Sequence, residues 1–109
     1  MDPSAIPDTS NLFGELDTTG PPDRVANLYG YRGWQVRKSS WTEFEVTCEF
    51  AELVIHQSSS HPDRMLIHGA VADVIANLPA ITNPLADAGV RYTLECYDEN
   101  WRLIHETRG

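Results

Sequence analysis

The stretch that most constrains the fold is residues 71–104, where a helical spacing of apolar residues gives way to the alternation of a strand. The apolar residues recur at i, i+3, i+4 and i+7 and then roughly continue along one side of a helix: Val71, Val74, Ile75, Leu78, Ile81, Leu85 and Ala88. Gly89 should end this helix, because glycine readily adopts the left-handed conformation found after a helix C-terminus. Tyr92, Leu94 and Cys96 then alternate with polar residues, which predicts a helix that packs on a sheet.

The same stretch predicts a divided helix and a final hairpin. Pro84 follows Asn83 as a proline at the first helical position follows an N-cap, which suggests two short helical pieces joined at residues 80–83. Residues 98–100, Asp-Glu-Asn, form a turn-forming cluster. Apolar alternation resumes at residues 101–103, so we predict that a hairpin ends the chain.

Residues 41–50 give the longest strand signal in the chain. Its two faces differ sharply, with an apolar set at Phe44, Val46, Cys48 and Phe50 and a polar set at Glu43, Glu45, Thr47 and Glu49. So regular a period of two predicts a strand with one face in water. Shorter strands are predicted at residues 34–37, 53–56 and 65–68, the last ended by Gly69. The expected fold is α+β, with a single, mainly antiparallel sheet of about six strands, the order β-β-β-β-α-β-β, and one helical segment on one face.

The first part of the chain has a different character, which predicts two regions. Residues 1–29 contain four prolines and five acids against one base, without sustained periodicity, so we expect a flexible or loosely docked acidic leader. Residues 30–109 should form the single α+β domain. Leu12, Phe13 and Leu16 interrupt the leader as an apolar island, which either acts as a docking peptide or packs back on the domain.

Charge and composition restrict the class of partner. The chain has 109 residues and a formal net charge of −8, which disfavours nucleic acid and an anionic membrane surface as partners. The acidity points either to a basic protein partner or to solubility alone. The sequence shows neither a run of apolar residues long enough to cross a membrane nor a secretory signal, so a cytoplasmic location is expected.

Residue types with catalytic or metal-binding chemistry are present without a recognised motif. Cys48 and Cys96 fall in the apolar phase of predicted strands and are expected to be buried, reduced thiols. His56, His61 and His68 could hold zinc only if the fold brings them together, because no metal-binding spacing supports a site. We therefore expect neither a metal nor a cofactor, and no residue is assigned a catalytic role.

The strongest candidate for a binding surface is the polar face of residues 41–50. Its carboxylates would form an acidic ridge, with Trp41 beside it as an aromatic anchor and Tyr97 on the same face, so the predicted partner-binding residues are Trp41, Glu43, Glu45, Glu49 and Tyr97. Two other interpretations stay open. The carboxylates could be a solvated outer face that blocks aggregation, or two of them could act as acid and base.

These patterns lead to a functional hypothesis and an alternative. The first is a non-catalytic protein-binding module, in concrete form a small acidic inhibitor or immunity-type protein that neutralises a basic partner such as a toxin enzyme. The alternative is a small enzyme or ligand-binding domain with a pocket between helix and sheet, in which His56 and His68 supply polar groups. A homodimer that closes on its sheet face is a further possibility.

Overall fold

A computed structural model describes residues 5–19 and 21–109 of the chain. Within these residues the protein forms seven strands and two helices: β1 (Leu12–Asp17), α1 (Asp23–Gly30), β2 (Gln35–Ser40), β3 (Glu43–Cys48), β4 (Ala51–Gln57), β5 (Met65–Val71), α2 (Val74–Asp87), β6 (Arg91–Tyr97) and β7 (Leu103–Arg108). The predicted α+β class with one antiparallel sheet is confirmed. The predicted order of elements is wrong, because a strand and a helix precede the first strand that the sequence indicated.

All seven strands belong to one sheet in the order β2-β3-β4-β5-β1-β6-β7, and every neighbouring pair is antiparallel. Helix α1 carries the chain from β1 to the far edge strand β2, and α2 connects β5 to β6. Both helices pack on the same face, and the core lies between them and the sheet. In the described part of the chain, neither helix is long and apolar enough to cross a membrane.

Strand β1 lies inside the sheet, between β5 and β6. Leu12 and Leu16 are fully buried beneath the helices. Gly14 lies between them on the same face, and a Cβ atom there would overlap the Leu94 side chain and the Thr93 carbonyl oxygen. Glycine therefore allows β1 and β6 to approach closely, and its missing side chain also hides the apolar alternation of β1. The prediction of a flexible or loosely docked leader is wrong for this segment; residues 1–4 and 20 lie outside the described residues.

Helix α1 is equally integral to the core. Tyr29 is completely buried, and its hydroxyl donates a hydrogen bond of 2.8 Å to the carbonyl oxygen of Ile81 in α2. Its ring meets Trp34 edge to face at a centroid distance of 5.1 Å. Burial raises the pKa of Tyr29 above its ordinary value, so the phenol stays protonated and can act as a donor. This contact joins the two helices over the sheet.

Helix α2 is continuous, although the sequence predicted two pieces. Pro79 and Pro84 both lie inside it, and each removes one backbone donor from the helix. A buried stripe on both sides of the prolines holds the helix on the sheet: Val74, Leu78, Ile81 and Leu85. Val71, which the sequence assigned to this stripe, belongs to β5 instead, and Ile75 is 47% exposed. This packing explains why the helix continues where local signals predicted an interruption.

The predicted end of α2 is confirmed. Gly89 has a φ of +73°, in the left-handed region that glycine adopts without strain. Its amide donates to the carbonyl oxygen of Ala86 at 3.1 Å, and the Val90 amide donates to that of Leu85 at 2.9 Å. These two bonds form a Schellman motif and satisfy carbonyl groups at the helix terminus.

Two predicted strand limits need correction. Gly69, predicted to end a strand, lies within β5, whose pairing with β4 continues to Val71. Strand β2 extends to Ser40, beyond its predicted end at residue 37, so the first reversal is at Trp41-Thr42. Turn-forming residues in a sequence do not show where a strand ends, because the end is set by the last hydrogen bonds to the neighbouring strand.

Candidate functional site

The sheet face opposite the helices is the candidate site, and we call it the open face. Side chains of neighbouring strands line up across it in a central row: Arg37, Glu45, Val54, His68, Phe13, Glu95 and Glu106. A second row runs beside it: Glu43, His56, Leu66, Glu15, Thr93 and Arg108. These side chains are exposed or half-buried, because the helices cover the other face.

Carboxylates outnumber cations on the open face. By strand alternation, seven of its described residues are acidic and three are basic: Glu15, Asp17, Glu43, Glu45, Glu52, Glu95 and Glu106, against Arg37, Arg91 and Arg108. Arg37 lies 3.9 Å from Glu45, Arg108 lies 3.6 Å from Glu106, and Arg64, from the loop before β5, lies 2.9 Å from Glu15. Exposed pairs of this kind contribute only about 0–1 kcal/mol to stability. The face remains acidic because its carboxylates outnumber its cations.

Three aromatic rings gather at one end of the central row, and we call them the aromatic cluster. The Phe13 ring lies 5.8 Å from Tyr97 and 6.2 Å from Trp101, and Tyr97 lies 6.4 Å from Trp101, all between centroids. The Tyr97 hydroxyl donates a hydrogen bond to Glu95, and this bond is the main cause of the raised pKa of Tyr97. Trp101 remains 59% exposed. The cluster thus combines apolar rings with a carboxylate at the protein surface.

Trp101 occupies an unusual backbone position in the turn between β6 and β7. Its φ is +60°, the left-handed region that a turn followed by a bulge usually fills with glycine. The Trp101 amide donates to the Asp98 carbonyl oxygen at 3.0 Å, and the Asp98 carboxylate accepts from the amides of Asn100 and Arg102. A non-glycine residue here costs roughly 1–2 kcal/mol. The turn therefore holds a large exposed ring at some expense in stability.

Two histidines continue the row of rings beyond Phe13. His68 stacks on Phe13 at a centroid distance of 6.3 Å, and His56 meets His68 at 5.5 Å. His61 lies in the exposed loop between β4 and β5. Among the described residues there is no group of three or more histidine, cysteine, aspartate or glutamate side chains that could hold a metal ion. The fold therefore brings His56 and His68 together but not His61.

The alternative prediction of a helix–sheet pocket with these histidines is wrong in its placement, because both lie on the open face. They line a depression of about 430 Å³ together with Phe13, Leu66 and Glu95. Burial, and next the charge on His56, lower the pKa of His68, while Glu43 opposes that shift. The His68 imidazole is therefore largely neutral at pH 7.

We expect the protein to lose stability as the pH falls from 7.5 to 5.5. The folded state lowers the pKa of His68 below its ordinary value of 6.5, so the unfolded chain binds this proton more readily. The contribution of His68 to the free energy of unfolding is fully present above pH 6.5. It is lost as the pH falls, first through the pKa of His68 in the unfolded chain and then through its lower pKa in the folded protein. Urea denaturation of the wild type and His68→Gln across this range measures it. Equal pH dependence in both proteins would contradict the prediction.

The cysteines give no sign of a reactive centre. Cys48 is half-buried in β3 and Cys96 is buried in β6, and three strands separate them, so both thiols are free. Burial raises the pKa of Cys96 to about 11. This thiol is protonated at neutral pH, whereas a nucleophilic cysteine needs the thiolate.

The structure brings together only some of the predicted partner-binding residues. Glu43 and Glu45 lie on the open face, with Glu43 accepting a 2.8 Å hydrogen bond from the Ser39 hydroxyl. Glu49 lies beyond the end of β3, in the turn before β4. Tyr97 is also on the open face, but β6 is four strands from β3, a distance of about 19 Å. The five residues do not form one compact site.

Trp41, predicted as an aromatic anchor beside the acidic ridge, lies outside the strands of the open face. It lies in the turn between β2 and β3, where its side chain is 87% exposed. The ammonium group of Lys38 lies 4.1 Å from the centre of its ring, as a cation–π contact within the chain. Phe13 and His68, which the sequence offered only as part of an apolar island and as a candidate pocket residue, lie in the central row of the open face, and Trp101 lies in the turn at one end of it. The apolar pair flanking Phe13, Leu12 and Leu16, was the signal that could have placed Phe13 on a strand.

Comparison of the chain with protein-family models, with curated proteins and with solved structures finds no match.

Proposed function

We propose that this protein is a non-catalytic protein-binding module whose open face binds a basic protein. The observation that carries the proposal is a seven-stranded sheet covered by helices on one side only, whose other side combines carboxylates with an exposed aromatic cluster. Seven strands of about six residues give a face of roughly 30 by 20 Å. Its flat area of roughly 600 Å² is about three quarters of the approximately 800 Å² that each partner contributes to a standard interface.

The composition of this face supports a basic partner. Opposite potentials raise the rate of encounter and select against partners of the same sign. Rigid aromatic side chains supply much of the binding energy at interfaces, and Trp101 and Phe13 are of this type. One concrete form of the proposal is a small acidic inhibitor or immunity-type protein, in which the open face covers the basic active site of a toxin enzyme.

Reversal of one charge on the open face should weaken the partner's binding by about tenfold, since truncating or reversing interface charges affects both the encounter rate and the complex. The test compares Glu45→Lys with Asp87→Lys. Each substitution breaks one exposed ion pair, with Arg37 and with Arg32 respectively, and each changes the charge equally. Asp87 lies at the end of α2, on the covered side of the sheet. Only Glu45→Lys should reduce binding.

The partner for this assay is obtained by retaining proteins from the source cells on the immobilised wild-type chain at low salt and releasing them as the salt rises. Its affinity for each variant is then measured with purified proteins. Glu49→Lys should have little effect, because this residue lies off the open face. If Asp87→Lys and Glu45→Lys weaken the affinity for the partner equally, the interaction depends only on the net charge of the protein. If Glu45→Lys leaves the affinity unchanged, the open face is not the interface.

A further inference from the structure

The aromatic cluster has carboxylates beside it that face one another. Glu95 lies opposite Phe13 on one side and opposite Glu106 on the other, in the register of β1, β6 and β7. Like charges directly opposite each other on a sheet are destabilising. Arg108 offsets part of this repulsion through Glu106, at 3.6 Å with both side chains exposed. A cation placed between the rings and Glu95 would offset more of it.

The ring of Trp101 is available to such a cation, whereas Lys38 already occupies one face of the Trp41 ring. In the described residues, the one cation found over an aromatic ring is Lys38, above Trp41. Trp101 is 59% exposed and contacts Phe13 and Tyr97 at tilts of 41° and 50°. The three rings therefore form an angled surface instead of a closed stack, with the Glu95 carboxylate held beside it by the Tyr97 hydroxyl.

We propose that the aromatic cluster, together with Glu95 and Glu106, is the subsite that receives an arginine side chain of the partner. This inference rests on the proposed function and specifies the chemistry of the contact. A guanidinium group is planar, so it stacks on an aromatic face while its N–H groups bind a carboxylate in two places. A lysine ammonium is compact and strongly hydrated, and an open surface such as this one does not enclose it.

The unusual turn agrees with this role. Trp101 stands at a φ of +60°, where glycine would be less strained, and the turn directs a bulky ring towards Phe13 and Tyr97. Because φ at this position suits glycine, Trp101→Gly can remove the ring without adding backbone strain. The position thus offers a variant that separates the loss of a binding group from a loss of fold.

The test uses N-acetylarginine amide as the probe, with the lysine and citrulline amides as controls. Lysine has the same charge without the planar group, and citrulline has nearly the same shape without the charge. Titration of the full chain is followed through the NMR signals of Trp101, Tyr97 and Glu95. We expect saturable shifts with the arginine probe, binding several-fold weaker for lysine, and about tenfold weaker or undetectable binding for citrulline.

The matched variants are Trp101→Gly and Trp41→Ala, each of which removes an exposed indole. Trp101→Gly should not lower the melting temperature, because glycine relieves the strain of the positive φ. It should abolish the arginine-dependent shifts at Tyr97 and Glu95 and weaken the protein partner's binding by about tenfold. Trp41→Ala should leave the shifts and the partner's affinity unchanged. Equal binding of the arginine and lysine probes would overturn the assignment of arginine.

The failure of this subsite can be distinguished from failure of the proposed function. If the arginine probe does not shift Trp101, or if Trp101→Gly binds the partner as tightly as the wild type, the arginine subsite is wrong. The open face remains the interface in that case whenever Glu45→Lys, but not Asp87→Lys, weakens the partner. If neither Trp101→Gly nor Glu45→Lys alters the partner's affinity, both proposals fall.

Discussion

A chain that begins at residue 19 should not fold, although it lacks only what the sequence suggests is a leader. Strand β1 pairs with β5 on one side and β6 on the other, so its removal divides the sheet into a four-stranded and a two-stranded part. It also uncovers backbone groups along two strands in the middle of the sheet, which costs stability and invites aggregation. Far-UV circular dichroism and the dispersion of amide NMR signals measure the result.

Two controls separate the role of β1 from a general effect of truncation. A chain that begins at residue 7 retains β1 and should give a dispersed spectrum. Leu16→Ala in the full chain should cost about 2–5 kcal/mol, since this side chain is completely buried. Glu15→Ala, on the opposite face of the same strand, should cost no more than about 1 kcal/mol because its pair with Arg64 is exposed. A folded, dispersed chain from residue 19 would contradict the prediction.

The sequence predicted the six strands from β2 to β7 and the helix α2, and it missed β1 and α1, which lie in the segment with the weakest apolar pattern. Alternation over residues 41–50 and 92–96 correctly placed the apolar side chains of β3 and β6 on the covered face. Strand β1 contains only Leu12 and Leu16 as apolar residues on that face, with Gly14 between them. Two leucines at this spacing carry little information without their partners, and those partners lie 49 or more residues away along the chain.

The acidity of the candidate site was predictable from the sequence, but the residues that meet there were not. The carboxylates of β3 predicted an acidic face of the sheet, because alternation along a strand places them on the face opposite the apolar side chains. The neighbours of that strand across the sheet depend on the strand order, which no local pattern specifies. Phe13 and Trp101 meet only because β1 inserts beside β6. The positive φ of Trp101 and the contact between Lys38 and Trp41 could not be predicted either, since these residue types permit several conformations.

The largest effect of a single substitution is expected at Tyr29, which lies on α1. Tyr29→Ala should lower the free energy of unfolding by about 3–5 kcal/mol, the range for removing a large buried aromatic side chain. The side chain is fully buried against Trp34, and its hydroxyl donates to the carbonyl oxygen of Ile81 in α2. Because whole domains are stable by only about 5–15 kcal/mol, the variant should unfold at a much lower urea concentration.

Tyr31 provides the matched control, because it is the same residue two positions later and is 85% exposed. Tyr31→Ala should change the free energy of unfolding by no more than about 0.5 kcal/mol. Tyr29→Phe keeps the ring and removes the hydroxyl, so it should cost about 1–2 kcal/mol through the lost hydrogen bond to Ile81. Urea denaturation of the three variants distinguishes ring from hydroxyl. Similar midpoints for Tyr29→Ala and Tyr31→Ala would mean that α1 is not packed on the sheet in solution, because only a docked helix makes these two tyrosines unequal.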